Sequence, residues 1–204
     1  MIEPSLDVEK SLWKRGYKHI AGIDEVGRGS WAGPVVAAAV ILPHDFKIPE
    51  NFGDSKQLKP RQREKMTKVI KKTAVSWAIA EVPVLTINRL RIGKAIQIAF
   101  RKSLKDLHEK ADFVIVDAFH IKHVNRKNQK AIKKGDQKCV TIAAASIIAK
   151  VYRDDLMKKL SKKYPLYGFG RHKGYGTRYH QDAIKKFGFC QIHRTSYNLN
   201  YLTL

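Results

Sequence analysis

Apolar residues along this chain fall into short unbroken runs separated by glycine, proline and long basic stretches. The runs at 20–26 and 34–42 (PVVAAAVIL) predict two strands joined by a turn over Gly27–Gly33. Residues 74–82 (AVSWAIAEV) read as a third strand. Residues 112–117 (DFVIVD) read as a short strand covered on both faces, because the apolar run does not alternate. Helical spacing marks 60–72, where Pro60 suits a first turn, and 86–109, where Ile87, Leu90, Ala95, Ile98, Leu104 and Leu107 recur on one side. It also marks 141–163, alanine-rich and then basic, and a last helix near 179–187. This order of strands and helices predicts an α/β protein.

Candidate chemistry gathers where strands end. Asp24 and Glu25 close the first strand, and Gly27-Arg28-Gly29 follows at once. An acid pair at a strand end is most often merely solvated, but glycines let a backbone approach a ligand and arginine brings a planar fork for phosphate. Carboxylates beside them suit a divalent cation, so this turn points to phosphoryl-transfer chemistry. Neighbours on a regular strand face opposite sides, so a twist or bulge is expected at Val26-Gly27. Asp117 ends its strand where ligands gather in open α/β sheets. Asp136, in Lys134-Gly135-Asp136, reads equally as an ion-pair partner or a third metal-site acid. Asp154 and Asp155 read as i,i+4 partners of Lys158 and Lys159. His120 and His123 read as surface residues. The stretch 164–180 (YPLYGFGRHKGYGTRYH) interleaves aromatics, glycines and cations as a nucleic-acid contact would.

Charge narrows the partners. The 204 residues carry 40 Lys/Arg against 18 Asp/Glu, a formal charge of +22, which calls for a polyanion. Nucleic acid is favoured over a membrane, since no apolar run approaches the ~20 residues of a spanning helix. The first twenty residues lack the pattern of a signal peptide, so a cytoplasmic protein is expected. Cys139 and Cys190 read as reduced thiols, with neither a disulfide framework nor zinc spacing. Two classes of function compete: a metal-dependent nuclease and a non-catalytic nucleic-acid binder. A pure binder gains nothing from acids clustered beside phosphates.

Taken in order, GIDEVGRGSWAGPVVAAAVIL, GDSKQL, FVIVD, KGD, IAAASIIAKVYRD and YGFGRHKGYGT resemble bacterial ribonuclease HII, the type 2 ribonuclease H, over roughly residues 20–195. The resemblance implies a ribonuclease H-like α/β fold: a mixed five-stranded sheet, its first three strands antiparallel, flanked by helices and followed by a helical C-terminal extension. Within one compact domain it suggests an N-terminal extension (1–18), a catalytic core (19–165) and a substrate-binding segment (166–204). It implies Asp24, Glu25, Asp117 and Asp136 as catalytic ligands of Mg²⁺ or Mn²⁺. Gly27, Arg28 and Gly29 fall on the motif that meets the ribonucleotide 2′-OH, Lys56 on a phosphate-contacting lysine, and Tyr175 on a tyrosine that packs on the sugar at an RNA-to-DNA junction. The implied substrates are RNA–DNA hybrids and ribonucleotides embedded in duplex DNA, cut to 5′-phosphate and 3′-hydroxyl ends in ribonucleotide excision repair, with the enzyme acting as a monomer. The chain departs from the family pattern at Ala118, where glycine is common, at Cys139, where serine is common, and in the strongly basic stretch 119–134.

Overall fold

The computed structural model describes residues 3–50, 52, 53, 55 and 58–202. Helix α1 (Asp7–Lys14) leads into strands β1 (Ile20–Val26) and β2 (Val35–Ile41). There follow α2 (Pro60–Thr73), β3 (Ser76–Val82), α3 (Val84–Lys105), β4 (Phe113–Asp117), β5 (Gln129–Ile132), α4 (Val140–Lys163), α5 (Phe169–His172) and α6 (Arg178–Phe187). The five strands form one mixed sheet in the order β3-β2-β1-β4-β5. β1, β2 and β3 pair antiparallel, whereas β4 and β5 join parallel to β1. The sheet is the one expected, and the predicted helices occupy nearly their expected spans, except that α3 ends four residues early and is broken at Arg91, whose φ of 67° and ψ of 158° are not helical. The residue pattern did not show α1, α5 or β5; β5 is a four-residue edge strand inside the basic stretch, too short and too polar to stand out.

Both faces of β2 are covered along its whole length and those of β1 from Ile20 to Asp24, so these residues are buried. The side-chain period of two sorts them. Val35, Ala37, Ala39 and Ile41 pack with α3 residues such as Ile87, Ala95 and Phe100. Val36, Ala38 and Val40 pack with Met66 and Ile70 of α2 and the alanines of α4. β3, at the edge, alternates buried and half-buried positions. The first ten residues of α4, 140–149, are almost wholly buried, and its backbone lies directly on β1: a Cβ at Gly22 would stand 2.3 Å from the Thr141 carbonyl carbon. The α1 side chain Glu9, itself fully buried, accepts hydrogen bonds from the Thr141 amide (2.9 Å) and hydroxyl (2.7 Å). A carboxylate thus meets the positive end of α4, and burial still raises its pKa above the ordinary value.

Two local expectations are corrected. The β1–β2 register runs without interruption from Ala21 to Val26, so no bulge re-aims Asp24 or Glu25. Asp154 pairs backward along α4 with Lys150 (2.8 Å) and across to Arg63 of α2 (3.6 Å), not with Lys158. Asp155 takes Lys158 at i,i+3, not Lys159 at i,i+4. Here tertiary packing chose the partner: Arg63 approaches from one side of α4 only.

Candidate active site

The carboxyl ends of β1 and β4 lie side by side and open into a pocket of about 440 Å³. Its wall includes Asp24, Glu25, Gly27, Arg28, Gly29, Asp117 and Tyr175, seven of the nine residues singled out from sequence. Asp24 and Glu25 both line the pocket although the ladder with β2 stays regular through Val26. Asp24 is buried, and one of its carboxylate oxygens accepts the Glu25 amide (2.7 Å). Burial pushes its carboxyl well above the ordinary range, and Glu25, Asp117 and Asp136 push the same way, while a hydrogen bond from Ser146 opposes them.

Asp136 is also buried, in a 3₁₀ turn at 135–137 that follows Lys134 in a left-handed conformation. The Gly135 amide donates to Asp117 (2.7 Å), so the KGD turn and the end of β4 are tied together. Ala118, next along, has φ 58°, which explains why glycine is the easier residue there. Lys56 lies outside the described residues. Its neighbour Ser55 is buried in the pocket wall with its hydroxyl 3.0 Å from that of Ser146.

Among the described residues no group of three His, Cys, Asp or Glu side chains is closed tightly enough to hold an ion as it stands. The donor chemistry nevertheless fits a hard dication: four carboxylates with serine hydroxyls beside them, and no thiol or imidazole among the described residues that line the pocket. Burial first and the neighbouring acids second raise the Asp24 carboxyl, and a cation would oppose both effects.

Two buried arginines that the sequence reading passed over shape the glycine turn. Arg153 of α4 donates to Pro34 O (3.0 Å), Ala32 O (3.1 Å) and Lys173 O (3.0 Å). Arg194 donates to Gly33 O (3.0 Å), Pro34 O (3.2 Å), Arg28 O (3.0 Å) and the Tyr197 hydroxyl (2.9 Å). The carbonyls of Arg28, Ala32, Gly33 and Pro34 therefore turn onto two cations. Gly27, at φ 95°, is required by one of them, since a Cβ there would sit 2.2 Å from Arg153 Nε. The only sequence signals were a charged residue at the end of the helix motif IAAASIIAKVYRD and another in a tail read as merely polar.

Tyr175 stands between two glycines for a similar reason. A Cβ at Gly174 would meet Ala32 O at 2.4 Å, and one at Gly176 would meet the Trp31 ring at 2.3 Å. The ring itself is about one-third exposed and lies 5.7 Å from the Arg153 guanidinium. Behind it three histidines, unremarked in the sequence, form an ordered chain. The Cys190 amide donates to His193 Nδ1 (2.8 Å), which puts the His193 proton on Nε2. That nitrogen is 3.1 Å from His180 Nε2, so His180 accepts there and carries its own proton on Nδ1, 3.0 Å from Tyr175 O. His172 accepts the Gly174 amide on Nδ1 (3.2 Å) and donates through Nε2 to Tyr167 O (2.7 Å). Burial pulls His180 and His193 down to about 4, so the chain is neutral at physiological pH.

The family model of ribonuclease HII matches residues 21–200. Ribonuclease HII of Acetivibrio thermocellus is 50% identical over 194 residues, 95% of this chain and 75% of that protein. Ribonuclease HII of Caldicellulosiruptor bescii is 43% identical over 202 residues, 99% of this chain and 97% of that one. Among solved structures, ribonuclease H2 from Pyrococcus horikoshii OT3 superposes with a TM-score of 0.73 at 28% identity, covering 88% and 94% of the two chains. The RNase HII solved with PCNA from Archaeoglobus fulgidus gives a TM-score of 0.76 at 23% identity, covering 91% and 97%, a likeness of fold. The motif order read from the sequence, the mixed sheet and these matches agree, and the chain belongs to the ribonuclease HII family, hydrolytic endonucleases that cleave RNA in RNA–DNA hybrids.

Proposed function

We propose that Asp24, Glu25, Asp117 and Asp136 hold two divalent cations, Mg²⁺ or Mn²⁺, and that the enzyme incises both RNA–DNA hybrids and duplex DNA containing single ribonucleotides. The observation that carries this reading is the buried Asp24 carboxyl, raised by burial and by its three acidic neighbours, in one pocket with the Gly-Arg-Gly turn. When bound, the cations supply activation of the attacking water and charge for the leaving 3′ oxygen of an in-line displacement, which gives 5′-phosphate and 3′-hydroxyl ends. Asp24, which is electrostatically opposed by all three of the other acids, would be the residue most relieved by holding them.

The remaining residues bind and orient. Gly27 and Gly29 let the turn approach the 2′-OH, and no heavy atom lies within 4 Å of where a Gly29 side chain would begin. Arg28 is exposed and meets phosphate, and Lys56 takes a second phosphate beside Ser55. Tyr175 packs on the deoxyribose that follows a ribonucleotide, so that the pocket reads the junction. The protein is proposed to act as a cytoplasmic monomer in ribonucleotide excision repair. Among the described residues no helix is long and apolar enough to cross a membrane. The test is cleavage of three duplexes, all-DNA, RNA–DNA hybrid and DNA with one ribonucleotide, with and without Mg²⁺. Cutting of the last two only, with Mg²⁺ only, is the expected result; cutting of all-DNA duplex or metal-independent cutting would overturn the reading.

A further inference from the structure

Arg28 lines two cavities. One is the carboxylate pocket. The other is a groove of about 810 Å³, and at its mouth the Arg28 guanidinium lies 5.0 Å from the ring of Phe119, which is 47% exposed. Lys94 and Arg101 of α3 line it on one side, and Lys122 and Arg126 of the β4–β5 loop on the other. No aspartate or glutamate is among its described lining residues. Part of the +22 charge is therefore concentrated in one concave channel that begins where the proposed reaction occurs.

The loop wall is built rather than merely solvated. Gln97 of α3 donates to His120 O (3.1 Å) and accepts the Lys122 amide (2.7 Å). The buried Gln129 accepts the Ile121 amide (2.8 Å) and donates to Ile121 O (3.0 Å) and Val124 O (2.8 Å). Two non-glycine residues, Ala118 and His123, hold positive φ within it. Side-chain hydrogen bonds thus fix a strained loop while Lys122 and Arg126 stay exposed. A surface fixed before binding loses little entropy when a ligand arrives.

We propose that this groove seats the sugar–phosphate backbone of the duplex arm that adjoins the scissile site, with Lys94, Arg101, Lys122 and Arg126 on its phosphates and Phe119 packed on the first sugar beyond Arg28. The proposal rests on the nuclease reading above. Charge complementarity and continuity through Arg28 commit the groove to the substrate itself and not to a separate partner. It gives the basic segment 119–134 a function: it extends the footprint along one arm only.

The test is the triple variant Lys94→Gln, Lys122→Gln, Arg126→Gln, three exposed positions, and the melting temperature is expected to stay that of the wild type. Binding to a duplex with one central ribonucleotide and two long arms is followed by fluorescence anisotropy against salt, without divalent metal. Loss of three phosphate contacts should lower the slope of log affinity against log salt by about 2–3. In steady-state cleavage KM should rise about tenfold with kcat nearly unchanged, as for a contact made equally in ground and transition states. Trimming one arm should abolish the difference between variant and wild type, and trimming the other should preserve it. An unchanged slope on the long duplex, a difference that survives trimming of both arms, or one that follows a single-stranded tail instead of a duplex arm would overturn the proposal. A wild-type protein that binds with this arm dependence yet cuts none of the substrates would overturn the nuclease reading and leave the groove standing.

Discussion

Replacing Arg153 by methionine should destabilise the fold and the substrate-reading turn together. The arginine is fully buried and its three hydrogen bonds all end on carbonyls, those of Ala32, Pro34 and Lys173. Burial pulls the guanidinium down to about 10, with Tyr175 opposing, so it remains charged at neutral pH. Methionine fills much of the volume but takes the donor from Ala32 O and Lys173 O, each loss costing about 1–3 kcal/mol, while Pro34 O keeps Arg194. Against this stands the relief of no longer burying a cation, itself several kcal/mol. We expect a net loss of about 3 kcal/mol, and at about 2–4 °C per kcal/mol for a chain of this size the melting temperature should fall by about 6–12 °C. Arg153→Lys should fall between, because one ammonium cannot reach three carbonyls in a planar fork. Thermal unfolding followed by circular dichroism, without metal, measures the effect, and kcat/KM on a single-ribonucleotide duplex should drop in the same order. A melting temperature within about 2 °C of wild type for the methionine variant would refute the claim that this cation organises the turn.

The histidine chain should make the protein acid-labile: His180 and His193 titrate near 4 when folded but near 6.5 when unfolded, so the unfolded state binds more protons between these values. Their contribution is intact above pH 6.5 and is lost as pH falls toward 4, by up to about 3 kcal/mol each; urea midpoints at pH 7, 5.5 and 4.5 should show the decline, and His193→Gln should flatten it. Asp24→Asn should abolish Mg²⁺-dependent cleavage, preserve binding, and raise the metal-free melting temperature, because a buried and electrostatically opposed carboxylate is removed; wild-type turnover would take Asp24 out of the metal site. Tyr175→Ala should impair cleavage at a single embedded ribonucleotide far more than within a long hybrid, and equal losses would reduce the tyrosine to a packing role. Lys56→Ala should lower the salt dependence of binding by about one in log–log slope, and an unaltered slope would exclude a phosphate contact.

The sequence by itself determined what depends on neighbours along the chain. The apolar runs of β1, β2 and β4, bounded by Gly, Pro and Asp, could be little else than strands, and the alanine-rich start of α4 announced a helix packed close on a sheet. Motif order was enough to single out Asp24, Glu25, Asp117 and Asp136, because each stands at a strand end or beside a glycine turn that is legible locally. Tertiary structure decided everything that joins distant segments. β5 exists because β4 offers it an edge to pair with, and its own four residues carry too little apolar pattern to say so. Asp154 chose Arg63 and Lys150 because α2 packs on that side of α4. Ser55 meets Ser146 across 91 residues, and Arg194 meets Arg28 O across 166. Buried cations, hydroxyls and imidazoles such as Arg153, Arg194, His180 and His193 look in sequence like any surface polar residue. What makes them structural is the set of carbonyls and ring nitrogens that folding places around them, since a polar group removed from water must find its partners wherever the chain happens to bring them.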